Sequence, residues 1–96
     1  METAYEKAGI VIGKLVAEKN ESYGDSFILS GEILKILYPK GIQPEQYDDV
    51  LLIARIVDKL FRVVNAKHAF GESPYADIAG YGICGAVKDG FTNSYV

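Results

Sequence analysis

The segment from Asp48 to Val64 constrains the fold of this chain more than any other feature. A helix over these residues is apolar on nearly every face, which is typical of a helix inside a protein core. Four charged side chains interrupt this pattern, and their spacing of three or four residues puts them on one narrow polar stripe: Arg55, Asp58, Lys59 and Arg62. Two interpretations remain open. Acidic groups elsewhere in the fold neutralise the cations, or the cations face an anionic ligand.

The rest of the chain also has helical spacing, and no segment alternates as a strand does. Helices are predicted from about Glu2 to Asn20, over a short stretch ending before Tyr38, from Pro44 to about Asn65, and from Ser73 to about Val87. The short helix has candidate starts at residues 25–26 and at residue 30, after a break over residues 21–24. The prediction is an all-α fold, a compact bundle of about four helices in one domain over residues 1–96, with a less ordered tail from about residue 91.

Small residues recur on the first and last of these helices. They are Gly9, Gly13 and Ala17 on the first, and Ala76, Ala79, Gly80, Gly82, Gly85 and Ala86 on the last. Since glycine weakens a helix by roughly 1 kcal/mol against alanine, such faces indicate close packing, and the two helices are predicted to pair through them. Cys84 lies among these residues and is interpreted as a small core residue.

Composition narrows the functional class. The net charge of −3 argues against general binding of duplex nucleic acid. No apolar run approaches the roughly 20 residues that span a membrane, and the charged start METAYEKAG is unlike a signal peptide, so a cytoplasmic protein is expected. Hydrophobic residues make up 49% of only 96 residues, more than a small domain readily buries. The prediction is therefore a homo-oligomer.

Two further groups are candidate ligand contacts beside the stripe. Lys19 and Tyr23 precede Gly24 at a corner between helices, where a cation and an aromatic ring suit a phosphate and a base. The alternative is ordinary turn chemistry at Gly24. Tyr75 and Tyr81 are the second group, and the alternative is that they bury their rings and hydrogen-bond through the hydroxyl.

A set of acidic residues is compatible with a second interpretation, a metal-dependent enzyme. Paired carboxylates at helical spacing are how all-α nucleotide pyrophosphohydrolases of the MazG type hold Mg²⁺, and this chain has a weak resemblance to them. The candidate metal ligands are Glu18, Glu21, Glu45, Asp48, Glu72 and Asp77. The alternatives are that acids at the start of the long helix favour its dipole, and that Glu72 and Asp77 pair with Arg55 or Arg62.

Three stretches together resemble a known family. They are Lys19-x-x-x-Tyr23-Gly24-Asp25-Ser26, the run from Arg55 to Arg62, and the run from Gly71 to Tyr81. In this order they resemble the nucleotide-modification-associated domain, type one, of short phage and prophage proteins. The similarity covers roughly Lys14 to Val87. It implies a helical fold, a connection to nucleotides and, for a phage protein, the cytoplasm of the host cell.

The function that these observations favour is non-catalytic binding of a small nucleotide, which would sequester a host nucleotide signal and antagonise immunity. The predicted ligand contacts are Lys19, Tyr23, Arg55, Lys59, Arg62, Tyr75 and Tyr81. No cofactor is expected, and Mg²⁺ enters only with the alternative of a nucleoside triphosphate pyrophosphohydrolase-like enzyme. A second alternative is a protein–protein interaction module without a small ligand.

Overall fold

A computed structural model describes residues 2–91 of the protein, apart from the side chain of Phe70, and shows four helices joined by short turns. The helices are α1 (Ala4–Tyr23), α2 (Ser26–Leu37), α3 (Tyr47–Ala66) and α4 (Pro74–Lys88). A 3-10 turn precedes α3 at Pro44–Gln46, and another precedes α4 at Ala69–Gly71. Residues 2–91 contain no strand. The expected all-α bundle with one short helix is confirmed, while the tail over 92–96 lies outside the described residues.

Local capping explains where two of these helices begin. The Thr3 hydroxyl accepts a hydrogen bond from the Glu6 amide at 3.1 Å, and the Glu6 carboxylate accepts one from the Thr3 amide, which completes a capping box at α1. At α4 the Ser73 hydroxyl accepts from the Ala76 amide at 3.2 Å. Pro74 occupies the first helical position, as the sequence predicts.

Two helix boundaries differ from the prediction. The helix α1 continues through the expected break and ends only at Gly24, whose left-handed backbone (φ 57°) lets its amide donate to the Asn20 carbonyl at 2.8 Å. The helix α2 starts at Ser26, so the second candidate start is not used. The Ser30 hydroxyl instead donates to the Ser26 carbonyl inside the helix.

The long helix α3 is the centre of the bundle. Each of the other three helices packs against it. Its residues Val57 and Arg62 are buried, and so are Ser26 at the start of α2 and Pro74 at the start of α4. The burial of α3 predicted from its apolar faces is therefore partial, since most of its other side chains are half-buried.

The predicted pairing of α1 with α4 is wrong within one chain. A Cβ atom added at Gly9, Gly13 or Gly80 would meet no other atom within 4 Å, so these small-residue faces do not close on each other. Of the glycines of α4, Gly85 lies at its contact with α3, while Gly80 and Gly82 do not. A Cβ at Gly85 would lie 2.9 Å from Cδ2 of Leu52, so the two helices approach closely there.

The interpretation of Cys84 as a core residue is also wrong for a single chain. Its side chain is exposed and forms no disulfide. The neighbouring residue Gly85, about 100° further round the helix, is the one that approaches Leu52 of α3. None of the described helices combines the length and the apolarity needed to cross a bilayer.

Candidate functional site

The corner between α1 and α2 has a tightly defined backbone. Gly24 and Asp25 both have left-handed conformations, with φ of 57° and 61°. The position of Gly24 requires glycine for a second reason, since a Cβ there would lie 2.1 Å from Nδ2 of Asn65. The Asn20 side-chain amide donates to the Asp25 carboxylate at 2.6 Å, which ties the last turn of α1 to the start of α2.

A cavity of about 300 Å³ opens beside this corner. Its walls come from the last two turns of α1, the first residues of α2 and the middle of α3, and its lining residues are Val16, Lys19, Asn20, Tyr23, Ser26, Phe27 and Asp58. Lys19 and Tyr23 are the predicted ligand contacts that line it. Phe27 and Asp58 were not predicted as contacts, because only the cations of the stripe suit an anionic ligand and Phe27 carries no motif.

The cavity contains a cation and an acid that the protein leaves unpaired. Neither Lys19 nor Asp58 forms a hydrogen bond or an ion pair with another described residue. Asp58 is half-buried next to the buried Ser26. Since a partly desolvated carboxylate gains most from a hydrogen-bond donor, Asp58 is a position at which a ligand donor adds to affinity.

Tyr23 makes a cation–π contact with Lys59 of α3. The ammonium nitrogen of Lys59 lies 5.8 Å from the centroid of the Tyr23 ring and 3.3 Å from Oδ2 of Asp77 on α4, and the side chain is only 15% exposed. Burial on its own lowers the pKa of Lys59, but the hydrogen bond to Asp77 and the charges of Tyr23 and Asp77 outweigh it and raise the pKa above 10.5. Lys59 is therefore charged at neutral pH and connects α1, α3 and α4.

Arg62 is the most deeply buried charge, with 0% of its side chain exposed. Its Nη1 donates to Oε2 of Glu72 at 3.1 Å, and its Nη2 donates to the Glu72 backbone carbonyl at 2.6 Å. The guanidinium thus fixes the segment that leads into α4. This is the internal neutralisation that the sequence left open as one of two interpretations of the stripe.

The remaining predicted contacts lie outside the cavity. Arg55 is exposed, and its guanidinium carbon is 6.0 Å from the centroid of Tyr81, the distance of a cation–π contact between α3 and α4. Tyr75 lies under the ammonium nitrogen of Lys67, 4.9 Å from the ring centroid. Arg55, Tyr75 and Tyr81 therefore have contacts within the protein and do not line the cavity.

The acids proposed as metal ligands for an enzyme are dispersed. Asp48 pairs with Lys88 at 3.3 Å, Asp77 with Lys59 and Glu72 with Arg62. Glu18 and Glu21 lie on α1, where Glu21 is helical and not in a break, and Glu45 lies in the turn before α3. Within residues 2–91 no three His, Cys, Asp or Glu side chains come together as a metal site.

A second cavity of about 380 Å³ lies where α4 begins. Its lining consists of Lys67, His68, Gly71, Glu72, Ser73 and Pro74. The predicted ligand contacts do not line it. The Glu72 side chain in its wall is already engaged by Arg62, and the Ser73 hydroxyl by the α4 cap. We therefore take the cavity at the α1–α2 corner as the candidate site.

Comparisons of this chain with protein-family models, with curated proteins and with solved structures give no match. The geometry of the α1–α2 corner therefore carries the functional inference.

Proposed function

We propose that the protein binds a nucleotide at the α1–α2 corner without transforming it. The observation that carries this proposal is that three kinds of side chain line one cavity. They are an unpaired cation (Lys19), an aromatic ring (Tyr23) and an unpaired carboxylate (Asp58). A phosphate, a base and a hydrogen-bond donor of the ligand satisfy all three. The volume of about 300 Å³ is at the small end of ligand sites, which suits a single nucleotide.

The positions of the charges orient the ligand. A phosphate binds at Lys19 and away from Asp58, because the carboxylate repels it. The base then lies against Tyr23 and Phe27, whose rings offer flat apolar surface. Tyr23 is suited to this contact because Lys59 already lies over its ring, so the side chain loses little freedom on binding.

Asp58 gives the site a preference among bases. A carboxylate only accepts hydrogen bonds, and guanine presents an N–H and an amino group side by side on one edge, while uracil presents a single N–H. A paired contact of this kind is worth about 1–3 kcal/mol. Guanine nucleotides are therefore expected to bind roughly fivefold to 150-fold more tightly than uracil nucleotides, from the conversion of that free energy at about 1.4 kcal/mol for each factor of ten.

A thermal-shift titration with GMP and UMP tests the site. The variant Lys19→Ala is expected to lose most of the GMP-induced stabilisation, and Asp58→Asn to lose the preference for GMP over UMP. Lys40→Ala is the matched control, because Lys40 is exposed in the α2–α3 connection and does not line the cavity. At a ligand concentration a hundred times Kd, the wild-type shift corresponds to about 2.7 kcal/mol. Equal loss in Lys19→Ala and Lys40→Ala would contradict the proposal.

Binding without chemistry amounts to sequestration, and the resemblance to short phage proteins makes a host nucleotide signal the class of ligand that we propose. The test is recovery of the ligand. Nucleotide incubated with the protein and Mg²⁺, then released by heating, is expected to elute unchanged from an ion-exchange column. Recovery of a nucleotide with fewer phosphates would contradict non-catalytic binding and support the enzyme alternative.

A further inference from the structure

The helix α1 leaves an apolar face uncovered. Every residue from 2 to 21 is exposed. Spacings of three and four residues place four apolar side chains on one side of the helix: Ala4, Ala8, Val11 and Leu15. Val11 is 67% exposed and Leu15 is 51% exposed. Such a contiguous apolar stripe on a helix of 20 residues is typical of a helix that packs against a partner.

The surface area of the chain is larger than that of a self-sufficient monomer. The chain exposes 7489 Å², whereas a compact protein of its mass, 10.5 kDa, exposes about 5,400 Å². Its radius of gyration is 17.3 Å, against about 12.5 Å for a compact chain of this length. The excess of roughly 2,000 Å² lies within the range of about 1,000–2,500 Å² that each copy buries in a permanent homodimer.

The charges beside the apolar face identify the occupant. A second stripe adjoins that face and carries Lys7, Lys14, Glu18 and Glu21. Its first half is basic and its second half acidic, so an antiparallel copy of the same helix sets opposite charges against each other. In a parallel pair the stripe of one copy lies against the opposite flank of the other, so its basic and acidic halves do not meet. An anionic membrane surface would meet repulsion from the acidic half.

We infer that two copies of the chain pair through α1, with their α1 helices antiparallel. Apolar burial supplies the affinity and the polarised stripe supplies the orientation. The contact is isologous, since the same face of each copy meets its counterpart. If the proposed function holds, this pairing also places the amino end of one α1 beside the carboxyl end of the other, where the Lys19–Tyr23 cavity opens.

Charge reversal tests the pairing without removing apolar surface. One variant carries Lys7→Glu and Lys14→Glu, and the other carries Glu18→Lys and Glu21→Lys. Each variant alone has a stripe of one sign, so its dimer Kd, measured by sedimentation equilibrium, is expected to rise roughly tenfold or more. An equimolar mixture is expected to form a heterodimer with a Kd near that of the wild type. Unchanged dimers of the single variants, or a mixture that stays monomeric, would overturn the inference.

A second pair of variants tests the apolar face. Val11→Asp with Leu15→Asp is expected to give a monomer, and Val64→Asp is the control because Val64 is 83% exposed on a different helix. A dimer that survives the α1 changes would show that the face is not the interface. If the double variant unfolds, the charge-reversed mixture decides. A wild-type chain that is monomeric and floats with anionic vesicles would overturn the pairing and assign the face to a membrane.

The outcomes for pairing and for nucleotide binding are separable. A monomeric wild type that still shows the GMP-induced shift, lost in Lys19→Ala, overturns the dimer and leaves the proposed function standing. A wild-type dimer that shows no GMP-induced shift supports the pairing through α1 and overturns the proposed function.

Discussion

Arg62 allows a sharp test of how the charged stripe of α3 contributes to the fold. The side chain is fully buried, whereas the Glu72 carboxylate that it contacts is 60% exposed. The second bond of Arg62 is to the Glu72 backbone carbonyl at 2.6 Å, and no substitution of the Glu72 side chain removes that carbonyl. The variants Arg62→Ala and Glu72→Gln therefore measure separately how much the cation and its acidic partner contribute to stability.

The expected free-energy changes follow from this asymmetry. Arg62→Ala removes a charged hydrogen bond worth about 1.5–3 kcal/mol and leaves a space in a packed region. Breaking a fully buried ion pair costs about 3–5 kcal/mol, and the exposure of Glu72 reduces that value. We expect destabilisation of about 2–4 kcal/mol for Arg62→Ala. Glu72→Gln loses only a solvent-screened attraction, about 0–1 kcal/mol.

Urea unfolding followed by circular dichroism measures both values. The two variants and the wild type must be compared at one protein concentration, because an oligomer gains apparent stability with concentration. Equal destabilisation by Arg62→Ala and Glu72→Gln would refute the reasoning, since the exposed acid would then dominate. A well-folded Arg62→Ala variant that lost nucleotide binding would also refute it and return Arg62 to the ligand site.

Two further outcomes are expected. Gly24→Ala should destabilise the fold by at least about 1–3 kcal/mol in urea unfolding, from left-handed backbone strain with added overlap with Asn65, whereas Gly31→Ala, at an open helical position, should stabilise it by about 0.5–1 kcal/mol. Equal effects would be evidence against the corner geometry. The raised pKa of Lys59 means that its stabilising contribution is complete below pH 10.5 and is lost as pH rises further, which thermal unfolding of wild type against Lys59→Met will show.

The fold was predictable where local chemistry decides it. The Ser73–Pro74 pair marks the start of α4 and Pro44 marks the approach to α3, because a cap and a fixed φ act within one turn. The end of α1 was misplaced for the same kind of reason. Polar residues before Gly24 are compatible with helix, and the helix stops at Gly24, the first residue that takes the left-handed conformation.

Contacts between helices were not predictable to the same degree. Small residues on a helix indicate that another helix can pack closely against it, but they do not indicate which helix that is. The glycines of α1 and α4 suggested a pairing, while in the structure Gly85 meets Leu52 of α3 and Gly9 meets nothing. The composition did indicate surplus apolar surface, which the exposed α1 agrees with. The sequence did not indicate which face carries it.

The candidate site was predicted in part for a related reason. Lys19 and Tyr23 lie one turn apart on α1, so their shared position is readable from spacing. Asp58 joins them only because α1 packs on α3, and a charged residue within a stripe does not reveal which neighbour it faces. Phe27 gave no signal because an apolar residue at the start of a helix is ordinary.

The charged residues of the α3 stripe differ in which other helices they contact. Lys59 and Arg62 turn towards the α4 side of the bundle, where Asp77 and Glu72 meet them. Asp58 faces the α1–α2 corner, where it forms no ion pair with another described residue, although Lys19 lines the same cavity. Because Lys59 also contacts Tyr23, the same ion pair that holds α4 fixes one wall of the cavity. Internal neutralisation of the stripe is therefore compatible with the nucleotide binding that we propose, because the paired cations hold in place a cavity whose own charged groups, Lys19 and Asp58, form no ion pair with other described residues.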